Sequence, residues 1–175
     1  MKQLIQQIEQ WAEDRNLIKG STPQKQMLKL MEEFGELCGG IAKNKPEVIK
    51  DSIGDCFVVL VILTNQLGIS ENVDFNIETI IEEYDDGKYE TSNEEQLLEA
   101  VRNLGGIAMP ISSGWKITIE WIDLFFINLI IVALLNNLNF KDCVQHAYDQ
   151  IKDRKGKMID GVFIKEEDLC PKPSA

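Results

Sequence analysis

Leu28-Lys-Leu-Met-Glu-Glu-Phe-Gly-Glu-Leu37 and Ile49-Lys-Asp-Ser-Ile-Gly-Asp-Cys-Phe-Val-Val-Leu60 decide how this chain folds. Met27, Leu30, Met31, Phe34, Leu37, Cys38 and Ile41 recur at spacings of three and four, which predicts the buried face of a helix. Thr22 is a natural N-cap, Pro23 suits the first turn, and the helix is expected to run to about Lys43. Pro46 opens the next helix, expected to end at Gly68. Its later part, Phe57 to Leu63, is apolar all round and so must be deeply buried.

Working outward, Leu4, Ile5, Ile8, Trp11 and Ala12 give residues 2–16 an amphipathic pattern. Residues 70–95 carry ten acids against one lysine and an Asp85-Asp86-Gly87 turn signal. They read as a solvated acidic connector with a short helix near Ile77–Tyr84. Helices are expected over about 94–109 and 117–138, with a last one from Phe140 or Lys141 to about Arg154. Lys157 to Ile164 then reads as a small hairpin turning on Asp160-Gly161. The fold class is all-α, a helical bundle in one domain over 1–175, with that C-terminal β-hairpin appended.

One part of the chain echoes another. Glu36-Leu-Cys-Gly-Gly-Ile-Ala42 resembles Asn103-Leu-Gly-Gly-Ile-Ala108, and Leu63-Thr-Asn-Gln-Leu-Gly-Ile69 resembles Leu134-Leu-Asn-Asn-Leu-Asn-Phe140. Offsets of 66–67 and 71 place a hairpin at 23–68 over another at 94–138, separated by the connector 70–93 and followed by 139–168. The second copy lacks the acids of the first: position 36 becomes Asn103 and Asp55 maps onto Phe126, while Asp123 falls opposite Ser52. A duplicated hairpin would let one chain build the four-helix packing that a shorter relative needs two subunits to make.

Composition narrows the function. A formal charge of −11 argues against nucleic acid as a partner, because such binding rests on Lys and Arg neutralising phosphates. Small phosphate ligands stay open to a negative protein through a bridging cation. Glu120, Asp123 and Asn128 interrupt the apolar segment 117–138, so it is expected to be a core helix and not a membrane span. The four cysteines form no C-x-x-C pair, and residues 1–16 have no apolar signal-peptide run; both point to reduced thiols and a cytoplasmic protein.

Glu33 and Glu36 are neighbours on adjacent turns, Glu32 shares a face with Glu36, and Asp51 and Asp55 are similarly spaced on the following helix. Antiparallel packing through Asn44-Lys45-Pro46 would bring the two sets together. Facing carboxylates repel without a cation between them, and oxygen donors suit Mg²⁺ or Mn²⁺. Spacing alone leaves two readings open, a metal site or acids that keep a helix surface solvated.

The two motif blocks resemble the signature of the MazG-like all-α nucleoside triphosphate pyrophosphohydrolases: E-x-x-E, a short gap, then E-x-x-D in a following helix. Ala147-Tyr-Asp-Gln-Ile-Lys-Asp-Arg-Lys-Gly-Lys-Met158 is similar to the tail of the stand-alone, phage-type members. The resemblance spans about residues 1–70 and 139–168, with the second hairpin as though inserted between them. It implies that Glu33, Glu36 and Asp55 bind Mg²⁺, or Mn²⁺. The family's remaining acidic position falls on Ser52, and Asp51, one residue earlier, is the expected substitute. The implied reaction is hydrolysis of a (d)NTP to (d)NMP and pyrophosphate by metal-activated water, with Glu32 or Glu33 accepting the proton. The resemblance also implies a homo-oligomer, a dimer being the first expectation.

Basic groups should meet the phosphates. Lys29, Lys152, Arg154 and Lys155 are the expected contacts, and Trp11 is a candidate to stack on the base. The alternative for the basic cluster is complementation of a helix C-terminus, and for Trp11 a place in the core. His146, the single histidine, has no E-x-x-H partner pattern and reads as incidental; this also disfavours a carboxylate–histidine di-metal bundle. A catalytically silent interaction or regulatory protein that keeps the fold is the remaining alternative.

Overall fold

Thr22 Oγ1 accepts the amide of Lys25 at 3.3 Å and Pro23 occupies the first turn, so the helix α3 starts where its capping chemistry directs. In the computed structural model, which describes residues 1–73, 75, 77–85 and 90–169, α3 spans Pro23–Ala42 and α4 spans Pro46–Gln66. They are preceded by α1 (Lys2–Asp14) and α2 (Leu17–Gly20). A 3₁₀ turn at Ser70–Asn72 leads to α5 (Ile77–Asp85), α6 (Asn93–Ser113), α7 (Ile119–Leu135) and α8 (Phe140–Ile151). The antiparallel pair β1 (Gly156–Ile159) and β2 (Val162–Lys165) follows, then a turn of helix, α9 (Glu166–Leu169). The fold is all-α with one small C-terminal hairpin.

Two helical hairpins, α3–α4 and α6–α7, make the most extensive pairings, and α8 packs along α4. That last contact is close: a Cβ on Gly54 would collide with the carbonyl oxygen of Cys143 and with Ala147. Phe57, Phe75, Phe126 and Phe140 form a ring cluster with centroids 5.0–5.6 Å apart, joining α4, the connector, α7 and α8. Edge-to-face pairs of this kind contribute about 0.5–1.5 kcal/mol each beyond area burial.

Several boundaries differ from the sequence reading. The connector is not simply a solvated strip: Val73, Ile77 and Ile80 are buried, and α5 packs on α7. Its acids dominate the composition, but the apolar residues between them share one face. Asp86 and Gly87 of the expected turn lie outside the described residues. Helix α6 runs through Pro110 to Ser113 instead of stopping near Met109, because Pro110 and Ile111 are buried and Gly114 provides a left-handed C-cap at φ 69°. Helix α8 stops at Ile151, short of Arg154. At the hairpin, Asp160 and Gly161 adopt φ of 49° and 76°, the paired left-handed residues of a tight two-residue turn.

The two hairpins close alike. The Ile69 amide bonds to the Thr64 carbonyl and the Leu138 amide to Ala133, each at the end of a hairpin's second helix, with Gly68 and Asn137 in the left-handed conformation. These helix ends are offset by 69 residues, two fewer than the echo in the residues suggests. Their interiors differ. Asn103, at the position echoing Glu36, donates to Asn128 at 2.7 Å, Asn128 donates to Gln96 at 2.8 Å, and Gln96 donates to Thr91 at 3.2 Å. A buried chain of neutral amides thus pins α6 to α7.

Among the described residues no single helix is long and apolar enough to cross a membrane, and α7 is mostly buried. Cys38, Cys56 and Cys143 are free thiols whose ionisation burial pushes upward, for Cys143 to about 12. Cys170 lies outside the described residues.

Candidate active site

Helices α3 and α4 run antiparallel, so the acids of one face those of the other across a cleft of about 540 Å³. Lys29, Glu32, Glu33 and Glu36 line it from α3, and Asp51 and Asp55 from α4. On α4 the lining residues 51, 55, 58, 59 and 62 follow the helical period. Ser52 lies outside this set and is 2% exposed, so the cleft face of this helix offers Asp51 and not position 52.

Glu33 is the buried acid of the group, with 8% of its side chain exposed. Lys29 Nζ holds it at 2.6 Å and reaches Glu32 at 3.0 Å. Burial raises the Glu33 carboxyl above its usual range, the Lys29 ammonium opposes this, and Glu36 and Glu32 add to the rise. Burial would lower the Lys29 ammonium, but Glu33 and Glu32 outweigh it and leave it raised. The Asp55 carboxyl is pushed up to about 7 by burial first, then by the charges of Glu33 and Asp51. Asp51 accepts from Gln150 Nε2 at 2.8 Å, and His146 Nε2 lies 3.6 Å from it. His146, read as incidental from sequence, is therefore a neighbour of the acidic cluster.

The donor set is hard oxygen with more negative charge than Lys29 alone answers, which fits a divalent cation such as Mg²⁺. Among the described residues no three acid, histidine or cysteine side chains are gathered into a ready-made coordination shell. Lys29 holds Glu33 through Oε1 instead.

The expected basic residues separate. Arg154 lines the cleft, as Lys29 does, whereas Lys152 is paired with Asp149 at 2.7 Å and lies outside it. Lys155 borders an adjoining, more open depression that shares Gln150, Arg154 and Lys165 with the cleft. Helix α8 ends before Lys152, Arg154 and Lys155, and distant side chains take the carbonyls at and just past its end: Trp11 Nε1 donates to Ile151 O at 2.8 Å, and Arg15 donates to Lys152 O and Arg154 O at 2.8 and 3.0 Å. Trp11 lines the cleft but is 8% exposed, edge-on to Phe163 and stacked under the Arg15 guanidinium at 4.9 Å. Its indole is a packing element as well as a wall.

The sequence reading missed residues on both sides. Gln26 shares the α3 face of Lys29, Glu33 and Glu36, and that spacing was a visible signal. Phe163 and Lys165 reach the cleft from β2, which no local pattern announces. Lys25 Nζ donates to the Asp160 carbonyl and holds the turn of the β-hairpin against α3.

A sequence profile of the MazG nucleotide pyrophosphohydrolase domain matches residues 21–91. The chain is also 46% identical over 162 residues to an uncharacterized 18.2 kDa protein in the rep-hol intergenic region of Haemophilus phage HP1. That similarity covers 84% of this chain and 97% of the phage protein. No solved structure matches.

Proposed function

Because the chain belongs to the MazG nucleotide pyrophosphohydrolase family, we propose that it hydrolyses a nucleoside triphosphate to the monophosphate and pyrophosphate in the α3–α4 cleft. The observation that supports this reading is that Glu33 and Glu36 of α3 and Asp51 and Asp55 of α4 line one cleft. Glu33, Glu36 and Asp55 would hold Mg²⁺ (Mn²⁺ having the same donor preference), with Asp51 standing in for the acid that Ser52 cannot supply. When bound, the cation would neutralise the triphosphate and lower the pKa of a coordinated water.

This chain's own groups do the rest. Lys29 leaves Glu33 for a phosphate oxygen, which frees a carboxylate as negative charge enters the cleft. Arg154 meets the phosphates from the other wall. Glu32, exposed and at present on Lys29, or Glu33 accepts the proton from the attacking water. Gln150 and His146 position Asp51. Leu28, Met31, Leu98, Val101 and Met109 leave apolar surface exposed on α3 and α6, which supports a homo-oligomer, first of all a dimer.

The test is a panel of ribo- and deoxyribonucleoside triphosphates with Mg²⁺ and pyrophosphate detection. Release of pyrophosphate by the wild type and its loss in Glu36→Gln supports the assignment. A folded wild type that releases none from any nucleotide, canonical or modified, would make it a silent, fold-retaining interaction protein.

A further inference from the structure

The rest of the cleft wall includes Leu17, Val58, Val59 and Ile62, all nearly fully buried. Two polar side chains interrupt it, Ser21 and Gln26, at 8% and 7% exposure. Gln26 Nε2 lies 3.3 Å from Ser21 Oγ, and this is the hydrogen bond its carboxamide makes among the described residues. With Nε2 donating to Ser21 Oγ, the carboxamide keeps its second N–H and its Oε1 for another partner.

The position suits the far end of a nucleotide. At about 1.5 Å per residue, Gln26 sits roughly 10 Å along α3 from Glu33, the scale that separates a nucleotide's phosphates from its base. Bases present adjacent donors and acceptors on their pairing edge, and enzymes that select a base read that edge within an apolar slot. Gln66 Nε2 donates to Leu17 O at 2.8 Å and fixes the short α2 over this end of the cleft.

We propose that Gln26, oriented by Ser21, reads the base edge of the nucleoside triphosphate and sets which base is preferred; this rests on the hydrolase reading above. The experiment compares kcat/KM across the four bases for wild type, Gln26→Leu, Gln26→Glu and Ser21→Ala, with circular dichroism and Tm confirming each fold. Gln26→Leu should compress the spread between best and worst bases by about 10-fold or more, chiefly through KM. Gln26→Glu replaces the donor with a second acceptor and should reorder the preferences, while Ser21→Ala should blur them less. A folded Gln26→Glu protein that slows every base by one common factor overturns the proposal while leaving the hydrolase reading intact. If Gln26→Leu does not fold, Gln26→Glu alone decides. A wild type inactive on all nucleotides overturns both.

Discussion

Lys29 Nζ lies 2.6 Å from Glu33 Oε1, so the buried acid of the cleft is answered by an ammonium one turn away on its own helix. This pair explains how the metal-free chain tolerates its acids. Lys29→Met should lower the Tm of the metal-free protein, equivalent to about 1–2 kcal/mol, because one partner of a partly buried pair is left alone. Added Mg²⁺ should recover more Tm in the variant than in wild type, as thermal melts with and without the cation would show.

Asp55 gives the stability a pH dependence. Its carboxyl ionises near 3.8 in the unfolded chain and is pushed up to about 7 in the fold. A raised acid favours the folded state below the unfolded pKa, and that contribution is lost as pH rises from about 4 through 7. The loss amounts to about 4 kcal/mol at most. The metal-free protein should therefore melt lower at pH 8 than at pH 6, and Asp55→Asn should flatten the trend and raise the Tm at pH 8. The same variant should release no pyrophosphate. A steep residual pH trend in Asp55→Asn would assign it to another group.

Asp51 and Ser52 separate by function if the cleft face is read correctly. Asp51→Ala should weaken the Mg²⁺ dependence of activity by about 10–100-fold, the scale of altered groups around metal sites. Ser52→Glu would bury a carboxylate at a position 2% exposed and should lower the Tm without raising the rate. Mg²⁺ titrations of pyrophosphate release would distinguish them.

Trp11→Phe keeps a ring but removes the donor to Ile151 O. It should cost about 1 kcal/mol of stability and loosen the end of α8, with KM for nucleotides changing less than twofold. A large rise in KM with unchanged Tm would instead give the indole a direct role at the base.

The acids were legible because they obey a helical period within two adjacent helices. Spacing alone paired Glu33 with Glu36 and Asp51 with Asp55 and left a metal site and a solvated surface both open; the resemblance chose Glu33, Glu36 and Asp55. The basic residues could not be placed this way, since their positions depend on where α8 ends, and that is fixed by Trp11 and Arg15 nearly 140 residues away. The same holds for Phe163 and Lys165, whose reach into the cleft is set by Lys25 gripping the hairpin turn. Helix α6 outruns its expected end near 109 for a related reason: the local preference of Pro110 to end a helix yields to burial of the turn around it.

The amide chain Asn103–Asn128–Gln96 gives the molecule an insensitive half. Carboxamides neither titrate nor require a counter-ion, so nothing in that chain answers to acidity or chelation. Stripping divalent ions should quicken amide hydrogen exchange along α3 and α4 while α6 and α7 keep their protection. One half would then serve as the fixed reference against which the other registers its cargo.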